Sequence, residues 1–213
     1  VNKTIRTKSK TYTTAQYCSR IAGIIAGTPM TISCTYAPLP EVIGCDVWTK
    51  EEMDTMAGAG KLFFFFDGEK VKLARGINSL VTTVQDKGTS FQKIKLVDLM
   101  DMMHDDIRTT AQDHYLGKYA NSYANRCLLV TAIQGYLDQL AQEGLLEQDQ
   151  NTAYIDVEST KIWLESNGKY TKAELADMSD MDIKLANIGS NVFIAVKASL
   201  LDAMEDVTIT INI

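Results

Sequence analysis

The segment KLFFFFDGEKVKLARG, residues 61–76, limits the possible folds more than any other part of the sequence. An aromatic run leads into an Asp67-Gly68 turn, and an alternating run then extends from Lys70 to Leu73, which is the pattern of a β-hairpin. Four consecutive phenylalanines cannot alternate between core and water, so both faces of the first strand should be covered. The segment therefore predicts a strand in the middle of a sheet flanked by helices, and hence a layered α/β arrangement.

Capping signals and apolar spacing predict helices on both sides of this hairpin. Thr13 precedes apolar residues at helical spacing that end at Gly27, and Thr49 precedes the run KEEMDTMAGAG. Two longer helices are predicted later, one from Phe91 to Gly117 and one from Ser122 to Gln142, because apolar residues recur every three or four positions. Shorter elements are predicted as a strand at 154–157, a helix at 160–166 and a capped helix after Thr171.

The 213 residues suit one large domain or two small ones, and 46% apolar with 23% charged residues is the composition of a folded protein. Residues 1–12 read as a short exposed strand, possible at a sheet edge. A polar, turn-rich stretch between Gly76 and Ser90 predicts a boundary that divides the chain into residues 1–80 and 81–213.

Charge, apolar segment length and cysteine spacing limit the partners and the cellular compartment that the sequence suggests. The net charge is -6, and the basic residues are scattered, so no surface is arranged for direct binding of nucleic acid. No apolar stretch reaches the length of a membrane span, so no membrane insertion is expected. The four cysteines lack paired spacing and are interpreted as reduced thiols of a protein made in a cytosol: Cys18, Cys34, Cys45 and Cys127.

Two segments could suggest catalysis, and both have simpler explanations. AGAGK at 57–61 resembles part of a phosphate-binding loop, but a helix precedes it and a strand follows, which is the reverse of the required order. His104 and Asp105 lie on a predicted helix where Asp101, Asp105 and Arg108 share a face, which favours an ion-pair row. No catalytic residue, metal site or cofactor is predicted.

The final residues form a strictly alternating segment in which β-branched apolar residues occupy every second position from Val207 to Ile213. One interpretation is an ordinary last strand of the protein's own sheet. The other is β-augmentation, in which the segment pairs with the sheet of a neighbouring copy through backbone hydrogen bonds. Residues 192–197 alternate in a similar way and predict a second strand.

Several longer segments resemble the tail sheath proteins of contractile phages and phage-like bacteriocins, particularly those of Gram-positive bacteria. The most specific are the Asp-Gly hairpin leading to RGINSL, the helix with DDIR, the YLGK segment and the ending DAMEDVTITINI. The matching order covers nearly the whole chain. The start at Val1 corresponds to an internal point of such proteins, which predicts that this is a C-terminal portion.

The resemblance implies the end of a layered α/β sheath domain followed by an α+β C-terminal domain with long helices and a small sheet. It also implies a structural, non-enzymatic subunit that stacks as six-membered rings into a helical sheath around a tail tube and contracts to drive the tube through a cell envelope. The implied partners are other copies, the tail tube protein, and the baseplate and tail terminator proteins. The implied location is a virion or tail-like particle that is assembled in the bacterial cytoplasm.

Carried over to this sequence, the resemblance assigns a linking strand and a receiving sheet. The linking strand comprises Val207, Thr208, Ile209, Thr210, Ile211, Asn212 and Ile213. The receiving sheet includes Val192, Ile194 and Val196. A hinge that absorbs subunit rotation is predicted at Leu200, Leu201, Asp202, Ala203, Met204 and Glu205.

Two other functions remain open at this point. The chain could be an adaptor or tube-like component of the same particle, or a fragment of a hydrolase that lacks its catalytic part.

Overall fold

The computed structural model describes residues 3–85 and 88–211 of an α+β chain. Its contacts divide the chain into two compact units, of which the first comprises the residues up to Asp101 together with those from Asp202 onward. The second unit is Met102–Leu201. The domain boundary near residue 80 that the sequence suggests remains a prediction. The two compact units are defined by contacts between residues and not by similarity to a family.

The first unit begins with an antiparallel sheet of order β2-β1-β3, formed by β1 (Thr4–Thr7), β2 (Thr11–Thr13) and β3 (Val42–Gly44). The prediction of an edge strand at the start is wrong, because β1 has a partner on each side. Ile5 on β1 is 1% exposed and lies in the core of this unit, as expected for a residue of a central strand.

The predicted hairpin is confirmed, with β4 (Phe64–Phe66) antiparallel to β5 (Val71–Leu73). The Phe strand is not the covered central strand that was expected, since Phe63 and Phe64 are buried but Phe66 is 55% exposed. β5 lies in the middle instead: residues 36–39 pair along its other side, where the Tyr36 N–H donates to the Leu73 carbonyl at 2.8 Å. The Phe run therefore passes from core to surface along a single strand.

The Asp67-Gly68 turn has its own polar support. Gly68 has a φ of 103°, which side chains disfavour. Asp67 pairs with Lys72 and accepts the backbone N–H groups of Glu69 at 2.9 Å and Lys70 at 2.8 Å. These interactions lower the pKa of Asp67, with the Lys72 contact as the largest cause.

Both helices predicted in the first unit are present, as α1 (Thr14–Gly27) and α2 (Lys50–Gly58). Thr13 and Thr49 cap them, and each cap is a reciprocal capping box with the residue three positions later. α2 ends before AGAGK is complete and β4 follows, so the helix-then-strand order that argues against phosphate binding is confirmed.

The long helices are also confirmed, as α3 (Ile94–His114) and α4 (Tyr123–Gln142), and a short 3₁₀ helix, Thr89–Gln92, precedes the first. The second unit contains a two-stranded antiparallel sheet of β6 (Thr152–Ile155) and β7 (Ile194–Lys197), with β6 against α4. Three further helices are α5 (Val157–Ser166), α6 (Lys172–Asp177) and α7 (Asp180–Leu185).

Several predicted boundaries in this unit shift, among them the start of α5, which is predicted at residue 160 and lies at Val157. The strand expected at 154–157 ends at Ile155, because the Asp156 side chain caps α5 by accepting the Ser159 N–H at 2.9 Å. Val192 lies outside β7, which begins two residues later. The helix α7 was not predicted; its buried Ile183 belongs to a small core with Leu164 and Leu175.

None of the helices in the described ranges has both the length and the apolar character needed to cross a membrane.

Candidate subunit interface

The terminal segment lies exposed in this chain. Val207 is 76% exposed, and Ile209 and Ile211 are each 78% exposed. Up to Ile211, where the described part of the chain ends, the segment forms no strand; Asn212 and Ile213 fall outside that part. Three apolar side chains at alternate positions are thus left in contact with solvent, although burying each would contribute about 1.5–3 kcal/mol.

The sheet of the second unit has an edge that could accept a strand. β7 pairs with β6 on one side and with no further strand among residues 3–85 and 88–211. Ala153 lies opposite Val196, and Ile155 lies opposite Ile194, so these four side chains share one face. The β6 members are buried, whereas Val196 is 38% exposed at the edge. A strand added there would extend an apolar face that is only partly covered.

Of the predicted receiving residues, Ile194 and Val196 are thus on the open edge strand, and Val192 precedes it.

The predicted hinge is fixed to the surrounding structure at several points. Leu200 forms an isolated β-bridge with Leu146, and the Leu201 N–H donates to the Leu145 carbonyl at 2.9 Å. The chain then passes from the second unit to the first between Leu201 and Asp202. Met204 is 98% exposed, so free rotation would be least hindered there. A hinge at 200–205 remains a prediction.

Glu205 is the principal anchor after that crossing. Its side chain is 7% exposed and accepts hydrogen bonds from four groups of the first unit. The donors are the Ser33 hydroxyl at 3.0 Å, the Thr35 hydroxyl at 2.6 Å, Lys93 Nζ at 3.2 Å and Arg75 Nη1 at 3.5 Å. We call this cluster the Glu205 clasp. It holds the chain immediately before the exposed segment begins.

Neighbouring charges complete the Glu205 clasp. Arg75 also pairs with Asp206, and Lys93 also pairs with Asp202. The hydrogen bond to Asp206 is the largest cause of a raised pKa for Arg75. Burial opposes the charge on Lys93, but its bonds to Asp202 and Glu205 outweigh that effect and raise its pKa. Both cations therefore stay charged beside their carboxylates at neutral pH.

The backbone of Gly76 also contacts the Glu205 clasp. Its N–H donates to the Thr35 hydroxyl at 2.8 Å, and a Cβ at this position would lie 2.8 Å from the Cys34 sulfur. We expect Gly76→Ala to reduce the free energy of unfolding by about 1–3 kcal/mol, because the short Cys34 side chain and the loop that carries it must shift.

Gly23→Ala is the matched control for that substitution, since a Cβ on this α1 residue would meet no atom within 4 Å. It should stabilise the protein by about 0.5–1 kcal/mol through helix propensity. Urea denaturation of both variants measures the difference, and equal effects would contradict the role assigned to Gly76.

Sequence reasoning did not find the Glu205 clasp. The RGINSL motif that it singled out contains Arg75 and Gly76, but neither spacing nor periodicity indicates that they meet an acidic residue about 130 positions away. The sequence places Glu205 in the predicted hinge at 200–205 instead.

The catalytic alternative at His104 finds little support in the geometry. Arg108 contacts Asp105 at 3.2 Å, which confirms an ion pair on this helix face. The side chains of His104, Asp105 and Arg108 are all more than half exposed. In the described ranges, no group of three or more His, Cys, Asp or Glu residues converges as a metal site would require.

Comparison with known proteins gives a consistent result. The model of the "Phage tail sheath C-terminal domain" family matches residues 86–213. The chain is 42% identical over 200 residues to the "Tail sheath protein" of Clostridium phage phiCD119. That alignment covers 94% of this chain and 55% of the relative, so the chain spans about half the length of the relative that it matches.

Two solved structures share the fold. A sheath tail protein from Desulfitobacterium hafniense superimposes with a TM-score of 0.64 at 22% identity, over 73% of this chain and 38% of that one. The sheath complex of PVC, an extracellular contractile injection system, superimposes in its contracted state with a TM-score of 0.61 at 12% identity, over 90% and 49% of the two chains. At such identities the likeness concerns the fold alone.

Proposed function

The chain belongs to the phage tail sheath family, and from that membership we propose that it polymerises around a tail tube and contracts to drive the tube through a cell envelope. In this proposal the working unit is a helical lattice of six-membered rings. The partners are other copies of the chain, the tail tube protein, and the baseplate and tail terminator proteins. The role is mechanical and needs no catalytic site or cofactor.

The observation that carries the proposal is that the apolar side chains at alternate positions, Val207, Ile209 and Ile211, are exposed. Within this chain those side chains remain in solvent. The outer edge of β7 has no partner strand in the described part of the chain, and Val196 on it is 38% exposed. We propose that residues 207–213 add a strand to the β7 edge of a neighbouring copy. Main-chain hydrogen bonds would then supply affinity, and alternate apolar side chains would supply register.

Strand exchange suits a lattice that must change shape. A hydrogen-bonded ladder between copies preserves connectivity while subunits rotate, provided that the chain can bend where it leaves its own subunit. The Glu205 clasp fixes the chain before the exchanged segment. We therefore propose that the chain bends before or after Glu205 and not at Glu205 itself. The solved sheath complex of PVC is described as contracted, which fits a second packing state for this fold.

Assembly would take place in the bacterial cytoplasm, and the product would be a virion or a tail-like particle. Burial raises the pKa of the Cys34 and Cys45 thiols, so both are protonated at neutral pH.

Negative-stain electron microscopy of the concentrated protein, in the length that its gene encodes, tests the proposed function. The expected result is hollow tubes of stacked six-membered rings. Flat single rings or monomers at every concentration would contradict it, and the first of these would favour an adaptor or tube-like component.

A further inference from the structure

The second unit contains a pocket of about 400 Å³ that the proposed strand exchange does not use. It lies where α3 ends and α4 begins, beside the loop that leads into β7. The lining residues that matter here are Tyr115, Tyr119, Asn121, Arg126, Gly189 and Val192.

Arg126 is the unusual member of this lining. It is 4% exposed, yet its Nε and Nη1 have no hydrogen-bond acceptor among the described residues. Nη2 donates only to the Ala186 carbonyl, at 3.4 Å. A guanidinium stays charged in proteins, and an unpaired buried charge is costly unless a partner compensates it. Burial accordingly lowers the pKa of Arg126.

Asn121 adds a second unsatisfied group of the opposite kind. Its Nδ2 donates to the carbonyls of Gly189 and Asn191, each at 2.7 Å, which fixes the orientation of the amide. Its Oδ1 is buried and has no donor in the described part of the chain. Arg126 and Asn121 both line the pocket, so two cationic donors and one acceptor that lack partners among the described residues lie in its wall. An acidic peptide segment matches both, since a carboxylate suits the guanidinium and a main-chain N–H suits the amide oxygen.

The rim of the pocket also suits a protein partner. Tyr119 is 55% exposed and Leu116 is 51% exposed, and the Tyr115 and Tyr119 rings lie 5.7 Å apart. Exposed aromatic side chains around a buried arginine are the residue types that interfaces favour. Pairing with an anion is further supported by the N-terminus of the 20-residue helix α4, which begins at Tyr123.

We propose that this pocket binds an Asp or Glu side chain and the adjacent main-chain N–H from an acidic segment of a second copy of this chain. A second copy can supply such a segment, because each chain carries 27 acidic residues. Position favours it too, since Val192 of the lining lies two residues before the edge strand β7. The choice of a second copy rests on the proposed function, whereas the recognition of a carboxylate does not.

Recognition of the carboxylate is tested on the chain without any polymerisation. N-acetyl-aspartate N-methylamide, which carries one carboxylate and two amide N–H groups, is titrated into ¹⁵N-labelled protein and followed by NMR. The expected result is a shift of the Arg126 Nε–H and Asn121 side-chain signals that the asparagine analogue does not produce. Equal shifts with both compounds, or none, would overturn the proposal and leave strand exchange untouched.

The source of the carboxylate is tested by polymerising the purified protein alone. Arg126→Met should raise the critical concentration for polymerisation about tenfold or more, because an interface then loses a buried charge pair. Its melting temperature should not fall, since the substitution removes a buried charge that has no carboxylate partner among the described residues, and the bond lost, to the Ala186 carbonyl, is long at 3.4 Å. Arg108→Met removes an exposed arginine of the same unit and is the control that should polymerise normally. A wild-type critical concentration for Arg126→Met, or a lowered melting temperature, would overturn the proposal.

Discussion

Replacing Ile209 and Ile211 together by lysine is expected to abolish polymerisation and to leave the melting temperature of the subunit unchanged. Both side chains are 78% exposed in the subunit, so the substitutions remove little internal contact. In a neighbour's sheet they would face the apolar side of β7, where each buried isoleucine contributes about 1.5–3 kcal/mol and a lysine would have to bury its charge. Sedimentation and electron microscopy measure the loss of polymer.

Thr208→Lys with Thr210→Lys is the matched control for this pair. These residues alternate with the isoleucines and would project from the opposite face of an added strand. The same charge is introduced at the same distance along the chain, so polymerisation should be weakened far less. Equal losses from the two pairs would indicate that the charge of the segment matters and the strand register does not, which contradicts the proposed pairing.

Removing Glu205 should have the largest effect on the stability of the subunit itself. Glu205→Ala deletes a 7% exposed carboxylate that accepts from Ser33, Thr35, Lys93 and Arg75. The substitution removes the buried acceptor shared by all four donors and leaves Arg75 and Lys93 with one carboxylate each, Asp206 and Asp202, so we expect a loss of about 2–3 kcal/mol in the free energy of unfolding. Urea denaturation followed by circular dichroism measures it.

Asp206→Ala serves as the neighbouring control for Glu205. Asp206 also pairs with Arg75, but its side chain is 78% exposed, and an exposed pair contributes at most about 1 kcal/mol. A loss from Asp206→Ala as large as that from Glu205→Ala would show that burial does not distinguish the two carboxylates and would contradict the anchoring role of the Glu205 clasp.

Local signals predicted most of the helices well. Thr13, Thr49 and Thr171 each cap the helix that the sequence predicted, and all three form capping boxes, because such caps depend on residues only three positions apart. The hairpin at Asp67-Gly68 was predicted for the same reason, since its turn residues determine its geometry.

Long-range pairing could not be predicted from these local patterns. The Phe run suggested a central strand, yet the central position belongs to β5, because residues 36–39 pair along its free side. Likewise β1 became central through β3, which is more than 30 residues away in sequence. Periodicity indicates which residues prefer a strand but not which strand becomes the partner.

The candidate interface divides in the same way. The alternation from Val207 was visible in the sequence, and the exposure of Ile209 and Ile211 agrees with a strand whose partner lies elsewhere. The Glu205 clasp and the Arg126 pocket each depend on residues brought together by the fold, over separations of 60 to 172 positions. No spacing rule connects such residues, so only the structure could show these two sites.

Electron cryo-microscopy of the assembled polymer, at a resolution that traces the main chain, tests the exchange of strands directly. We predict that residues 207–213 of each copy will be hydrogen-bonded along β7 of a neighbouring copy, with Ile209 and Ile211 on the face of Val196. A polymer in which this segment folds against its own subunit, and in which no chain crosses between copies, would contradict the account.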